Sequence, residues 1–259
     1  MTTLGRDRAR SGAASYPAQE LASASVTAHA SSCRVRIADV IETRLPWLFL
    51  SYALPAVVVL SIIMAPFQVA DELAHIERAD QISRGKMISD RTGGAIDAGW
   101  DLLEPVYHRM WFHPEVKQTV VQARETGAIR WSEVKEYVNF QDTARYGPFL
   151  YVPQVIAVLF GRLADLRLIQ TLVAARLLNG FAACVVGFVA LTICRCGRAL
   201  TFTTLLLPMT LSQFASASQD ALSISLSIVA IAMASQVLAE RRAASTAEFA
   251  VFACIVVAT

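Results

Sequence analysis

Apolar residues in this chain gather into long runs separated by polar stretches, and the lengths of the runs predict its elements. Pro46 to Phe67 has about the 20 residues that a bilayer core requires, with Trp47 as an interfacial anchor at one edge and Pro66 as terminator at the other. From Leu168 onward a second apolar territory divides into spans at 168–193, 199–214 and 221–238. A last run, 247–259, has about half the length of a span, so the chain reads as C-terminally truncated. Between the two territories, residues 68–147 are charged and aromatic, carry a turn at Thr92-Gly93-Gly94, and hold no stretch able to cross lipid.

This intervening segment is expected to be partly helical. From Asp71 to Ile82 the apolar residues Leu73, Ile76, Ala79 and Ile82 recur at helical spacing, with Asp71, His75 and Arg78 on another side, which predicts a surface-lying helix. Val116 to Val138 offers Val120, Val121, Ile129 and Val134 in a second amphipathic pattern. The apolar run 149–161 is short, holds Pro153 and lies between Pro148 and Arg162, so it either spans or lies in the interface. Residues 1–44 are rich in Ala, Ser, Thr and Arg and read as a disordered basic tail.

Charge decides between the two topologies. Arg6, Arg8, Arg10, Arg34, Arg36 and Arg44 precede the first span, which places the N-terminus in the cytoplasm by the positive-inside rule and the 68–147 loop outside. With 149–161 in the interface, Arg195, Arg198, Arg241 and Arg242 also fall in the cytoplasm; with 149–161 spanning, they all fall outside. The interfacial arrangement is therefore preferred. Composition agrees with the membrane class: 55% of the 259 residues are hydrophobic and the mean hydropathy is +0.46. A net charge of only +2, with no basic stripe interleaved with aromatics, excludes nucleic acid as a partner. Five cysteines give no disulfide framework, and Cys194-Arg195-Cys196 has too few neighbouring donors for a zinc site. The expected fold is thus all-α: a polytopic transmembrane bundle with a large external loop.

Four constellations carry candidate chemistry. In the first, Asp71 and Glu72 leave the outer end of the first span one helical turn before His75, which puts all three in one polar patch. A carboxylate at a membrane boundary can act as a general base, and this set could hold a divalent cation; alternatively the acids only favour a helix N-terminus. In the second, Tyr146 and Tyr151 flank Gly147-Pro148 where the chain returns to the membrane, as interfacial anchors or as the floor of a lipid-substrate groove. In the third, Arg176 and Asn179 interrupt an apolar helix, where Arg176 either binds a lipid phosphate or carries its charge to the headgroups. In the fourth, Asp220 closes the short external loop 216–220, as a second acid or as a helix cap.

Taken in order, these segments carry a resemblance. Pro66-Phe67-Gln68-Val69-x-Asp71-Glu72-x-x-His75, then Arg78-x-x-x-Ile82-Ser83-x-Gly85, Tyr146-Gly147-Pro148-x-x-Tyr151-x-Pro153, Arg176-Leu177-Leu178-Asn179 and Leu207-Pro208-Met209-Thr210 with Ser216-x-Ser218-x-Asp220 resemble domain-of-unknown-function family 2142 (DUF2142), a group of bacterial membrane proteins. The family usually has Pro where Ala70 stands. It resembles in turn the C-type (GT-C) glycosyltransferases, which use polyprenyl-phosphate-linked sugars. The resemblance implies a multi-pass protein of the bacterial inner membrane that transfers such a sugar to an envelope glycan or lipid. Asp71 would activate the acceptor or bind metal, Glu72 and His75 would support it, Arg176 would meet the donor phosphate and Asp220 would be the second external acid. A non-catalytic transport or assembly component for envelope polysaccharide, or an inactive truncated chain, is the competing reading.

Overall fold

A computed structural model describes residues 42–258 apart from 91, 114 and 133. The expected basic tail lies outside the described residues except for Glu42, Thr43 and Arg44, and the unit Leu45–Thr259 carries the spans and the loop. Among the described residues, three helices are long and apolar enough to cross a membrane: α1 (Glu42–Ile63), α8 (Leu168–Ile193) and α11 (Asp220–Ala239). Their 22, 26 and 20 residues rise roughly 33, 39 and 30 Å, against a hydrocarbon core of about 30 Å. Shorter elements fill the interval between α1 and α8. They are α2 (Glu72–Ser83), β1 (Gly93–Asp97), α3 (Ala98–Asp101), α4 (Glu104–His108), α5 (Val120–Gly127), β2 (Lys135–Asn139), α6 (Gln141–Ala144), a 3-10 turn at Phe149–Tyr151, and α7 (Val152–Leu163). After α8 come α9 (Arg198–Leu205), α10 (Pro208–Phe214), α11 and α12 (Thr246–Ala258).

α8 is the axis of the bundle, with α7 and α11 packed along it. Its glycines set how closely neighbours approach. A Cβ on Gly180 would press on Val57 of α1 and lie 2.6 Å from the Phe214 carbonyl oxygen, and one on Gly187 would meet the Phe49 ring at 3.0 Å. Small residues at such crossings let helices meet without a hydrophobic driving force between them. Two apolar cores result: one within the spans, built on Phe49, Val57, Cys184, Leu205, Phe214 and Ile228, and one within the loop layer, built on Ile76, Ile96, Trp100, Tyr107 and Tyr151.

The structure differs from the sequence-based expectation at five places. α1 stops at Ile63 rather than Phe67, ahead of the residue whose helical conformation Pro66 disfavours. α2 does not lie on the surface: Glu72, His75, Ile76, Glu77, Arg78, Asp80 and Gln81 are all buried, because α7 and β1 cover it from different sides. The Val116–Val138 stretch is helical only over α5, and Val120, Val121 and Val134 stay exposed. Its last part is β2, which pairs antiparallel with β1 from Gly93↔Asn139 to Asp97↔Lys135, a non-local pairing that overrides a weak helical pattern. The 199–214 stretch is not one continuous helix but α9 followed by α10, broken at Leu206-Leu207. Pro208 holds Leu207 at ψ 139°, outside the helical region.

α7 settles into the loop layer. Its start meets α2 at His75 and its end meets α2 again, where Arg162 donates to Ser83 Oγ at 2.8 Å and pairs with Asp80. Twelve residues rise about 18 Å, too short to cross. Phe149, Val152, Ile156, Phe160 and Leu163 form an exposed apolar stripe at helical spacing while Gln154, Ala157, Val158 and Gly161 face inward.

Candidate functional site

α1 ends with carbonyls that have no intrahelical partner, a general property of helix C-termini. Arg176, two turns into α8, supplies the donors: Nη1 donates to Ser61 O at 3.2 Å and Met64 O at 2.8 Å, and Nη2 to Ala65 O at 3.1 Å. A cation at this end also suits the helix dipole. Glu72, the first residue of α2, balances the charge, with Oε1 2.7 Å from Arg176 Nε and Oε2 2.6 Å from Nη2. The same carboxylate accepts from Phe67 N and Ala217 N, both at 2.9 Å. All five N–H groups of the guanidinium are thereby used within the protein, and neither residue is more than 1% exposed. Asn179, one turn further along α8, donates to Ser216 O at 2.8 Å and Ser218 O at 2.7 Å. Gln154 of α7 also donates to Ser218 O, at 3.0 Å. Arg176, Glu72 and Asn179 therefore tie the ends of α1 and α2 to the loop before α11. They leave the phosphate role expected of Arg176 without a free donor.

One residue earlier the arrangement reverses. Asp71 is exposed and sits at the N-cap position of α2 with a left-handed backbone at φ 58°; it makes no side-chain cap bond, so of the helix N-terminus alternative only the favourable dipole applies to it. It borders a cleft of about 410 Å³ with Phe67, Gln68, Trp111 and Phe112. His75, one turn on, is buried; its Nδ1 shares a 2.8 Å hydrogen bond with the Tyr151 hydroxyl, and its ring stacks on Tyr146 at 6.1 Å between centroids. Burial lowers the His75 pKa below its ordinary value, against the opposing pull of Asp220, Asp71 and Glu72. Asp220 begins α11, with its backbone N–H bonded to Ser218 Oγ at 3.0 Å. The residues singled out in the sequence thus fall into two groups: Glu72, Arg176 and Asn179 in a closed knot, and His75 in contact with Tyr146 and Tyr151, with the charges of Asp71 and Asp220 acting on its ring.

Two of the groups that could have held a divalent cation are engaged within the protein. Glu72 is committed to Arg176, His75 Nδ1 to Tyr151, and among the described residues no group of three or more His, Cys, Asp or Glu side chains is arranged to hold a metal ion.

Other polar residues that shape the loop went unnoticed in the sequence. Asp80, fully buried, pairs with Arg162 and with Arg84 at 3.4 Å, and its Oδ2 accepts from Asp97 N at 2.8 Å. Asp97 in turn caps α3 through Gly99 N and holds Ser132. The i, i+4 spacing of Asp80 and Arg84 was visible in the sequence, but Arg162, Asp97 and Ser132 lie too far along the chain for local spacing to join them to these acids. Arg78, which the sequence places on the polar side of this helix, lies at i+7 from Asp71 and i+3 from His75 on the same stripe.

A family model described as "Predicted membrane protein (DUF2142)" matches residues 54–259. No curated protein and no solved structure gives a match.

Proposed function

We propose, on the premise that this chain belongs to the DUF2142 family of predicted membrane proteins, that it is a glycosyltransferase of the cell envelope, moving a sugar from a polyprenyl-phosphate carrier to a glycan or lipid acceptor. The observation that supports the reading is Asp71, exposed at the lip of the cleft formed with Gln68, Trp111 and Phe112 and one helical turn before His75. Asp71 alone among the loop acids of this cluster combines exposure with a cleft beside it. The cleft's Trp111 and Phe112 faces and Gln68 amide are groups that suit a saccharide's apolar faces and hydroxyls. In the transfer, the acceptor oxygen attacks the anomeric carbon as its proton passes to Asp71, and the bond to the carrier phosphate breaks with its electron pair leaving on phosphate. His75 and Tyr151 position the acid, and the Glu72–Arg176 knot holds the helix ends that present it.

The orientation belongs to the same proposal. Cys194 at the end of α8 lies 3.9 Å from Ser235 late in α11, so Arg195, Arg198, Arg241 and Arg242 gather at the end of the bundle remote from Arg176 and the loop. Positive residues there support a cytoplasmic assignment for that end and an extracytoplasmic one for the acids, in the bacterial inner membrane. The saturation of Arg176 takes away the expected ligand of the donor phosphate, which favours one rival, a non-catalytic transport or assembly component.

Purified full-length protein assayed with labelled polyprenyl-phosphate sugars decides between them. Transfer that falls at least about 100-fold in Asp71→Asn is the expected result, in line with loss of a general base. An Asp71→Asn protein as active as the wild type would overturn the role, and envelope-glycan complementation without any turnover would favour the rival.

A further inference from the structure

We infer that the cleft between Arg78 and the Arg145–Pro148 turn binds the phosphate group of an amphiphilic ligand. The cleft, about 340 Å³, is lined by Arg78, Met87, Ser89, Arg145, Tyr146 and Pro148, with Ile88 at its edge. Arg78 is 1% exposed, yet every partner it has is neutral: the Gln81 amide oxygen, Lys86 O at 3.2 Å, Met87 O at 2.7 Å and Tyr146 O at 3.3 Å, while its Nε has none. Among the described residues no carboxylate forms an ion pair with it. The other deeply placed arginines are compensated, Arg176 by Glu72, Arg162 by Asp80, and Arg84 by Asp80 and Asp97. A buried guanidinium cannot escape its desolvation cost by losing its proton, so an uncompensated one calls for an anion from outside the chain.

Arg145 adds a second cation to the same cleft and also has no ion-pair partner among the described residues. Arg145 offers the forked donors that phosphate oxygens accept, and Arg78, whose Nη hydrogens are held by neutral acceptors of the protein, adds an uncompensated positive charge behind it. The mouth is apolar where a lipid would enter: Met87, Ile88 and Tyr146 are exposed, and Phe149 begins the exposed stripe of α7 just beyond. Tyr146 lines the cleft and stacks on His75, which puts the phosphate beside the acidic cluster. The site stands on Arg78 and Arg145; only the identification of the phosphate with that of the sugar carrier rests on the transferase reading.

The test is ligand titration of the full chain in phosphatidylcholine nanodiscs, read by native mass spectrometry. The probes are polyprenyl monophosphate, the matching polyprenol, phosphatidylglycerol and inorganic phosphate. Polyprenyl monophosphate should bind saturably and the polyprenol at least about tenfold more weakly. Arg145→Glu and Ser89→Glu, both at positions outside the core, should each weaken the monophosphate by about tenfold or more, the effect of removing or opposing one charge-assisted contact. Equal binding of polyprenol and monophosphate, or unchanged affinity in Arg145→Glu, overturns the site. Equal competition by phosphatidylglycerol or inorganic phosphate supports the anion site and assigns it to bulk headgroups or the free ion. Failure of sugar transfer with this binding intact would strike the transferase reading alone.

Discussion

Asp71 and Glu72 are neighbours in sequence and opposites in use. Glu72 is closed off, each of its oxygens accepting two bonds, while Asp71 stands exposed on a left-handed backbone at the lip of a cleft. A pair of adjacent acids thus divides the labour between holding the helix ends together and offering a carboxylate to whatever enters. Burial makes the difference: an ionised group taken out of water needs a full set of partners, and a group left at the surface does not.

The sharpest way to break this comparison is to remove one half of the knot. Arg176→Met leaves the Glu72 carboxylate buried without its counter-ion and uncaps the carbonyls of α1. A loss of about 3–5 kcal/mol is expected, whereas Asp71→Asn should stay within about 0.5 kcal/mol of wild type. Thermal unfolding of the detergent-solubilised protein, followed by tryptophan fluorescence, measures both. Equal stability of the two variants would erase the distinction between knot and open cluster.

Glu77, a turn and a half beyond Glu72 in α2, sharpens it further because it is buried without an arginine. Burial, with Glu104 and Asp101 nearby, raises its pKa from 4.5 to about 8. The folded protein therefore keeps a proton that the unfolded chain has already released. Stability is full below about 4.5 and falls as pH rises toward about 8, by up to about 1.4 kcal/mol per pH unit. Unfolding measured across that range should show the decline in the wild type and a flatter profile in Glu77→Gln. A wild-type profile that rises instead would mean that Glu77 ionises freely.

Much of this division was hidden in the sequence, for a physical reason. The spans of α8 and α11 were legible because bilayer thickness acts on run length alone, and the grouping of Asp71 with His75 because one helical turn joins them. The fates of Asp71 and Glu72 were not, because they depend on Arg176, more than a hundred residues away, and on the loop at Ala217. For the same reason the β1–β2 ribbon was missed: Gly93-Gly94 reads as a turn, and only its pairing with Val138 and Asn139 makes it a strand. Leu207-Pro208 carries a break signal within the apolar run 199–214, which the length of the run alone conceals.

The smallest effect tests the open half of the comparison. Tyr151→Phe removes the hydroxyl that partners His75 Nδ1 and keeps the ring, so the imidazole stays in its buried slot with one nitrogen unsatisfied. A loss of about 1 kcal/mol is expected, the usual cost of one buried neutral hydrogen bond. Tyr146→Phe is the matched control. Its ring stacks on His75 but the tyrosine hydroxyl makes no hydrogen bond among the described residues, so a change within about 0.5 kcal/mol is expected. If His75 also positions Asp71, Tyr151→Phe should lower sugar transfer by more than its stability loss explains, with polyprenyl-phosphate binding retained, whereas any loss in Tyr146→Phe should follow carrier binding, since Tyr146 lines the phosphate cleft. Identical behaviour of the two variants in unfolding and in transfer would mean that the His75–Tyr151 bond orders nothing, and would leave Asp71 to act without a positioned neighbour.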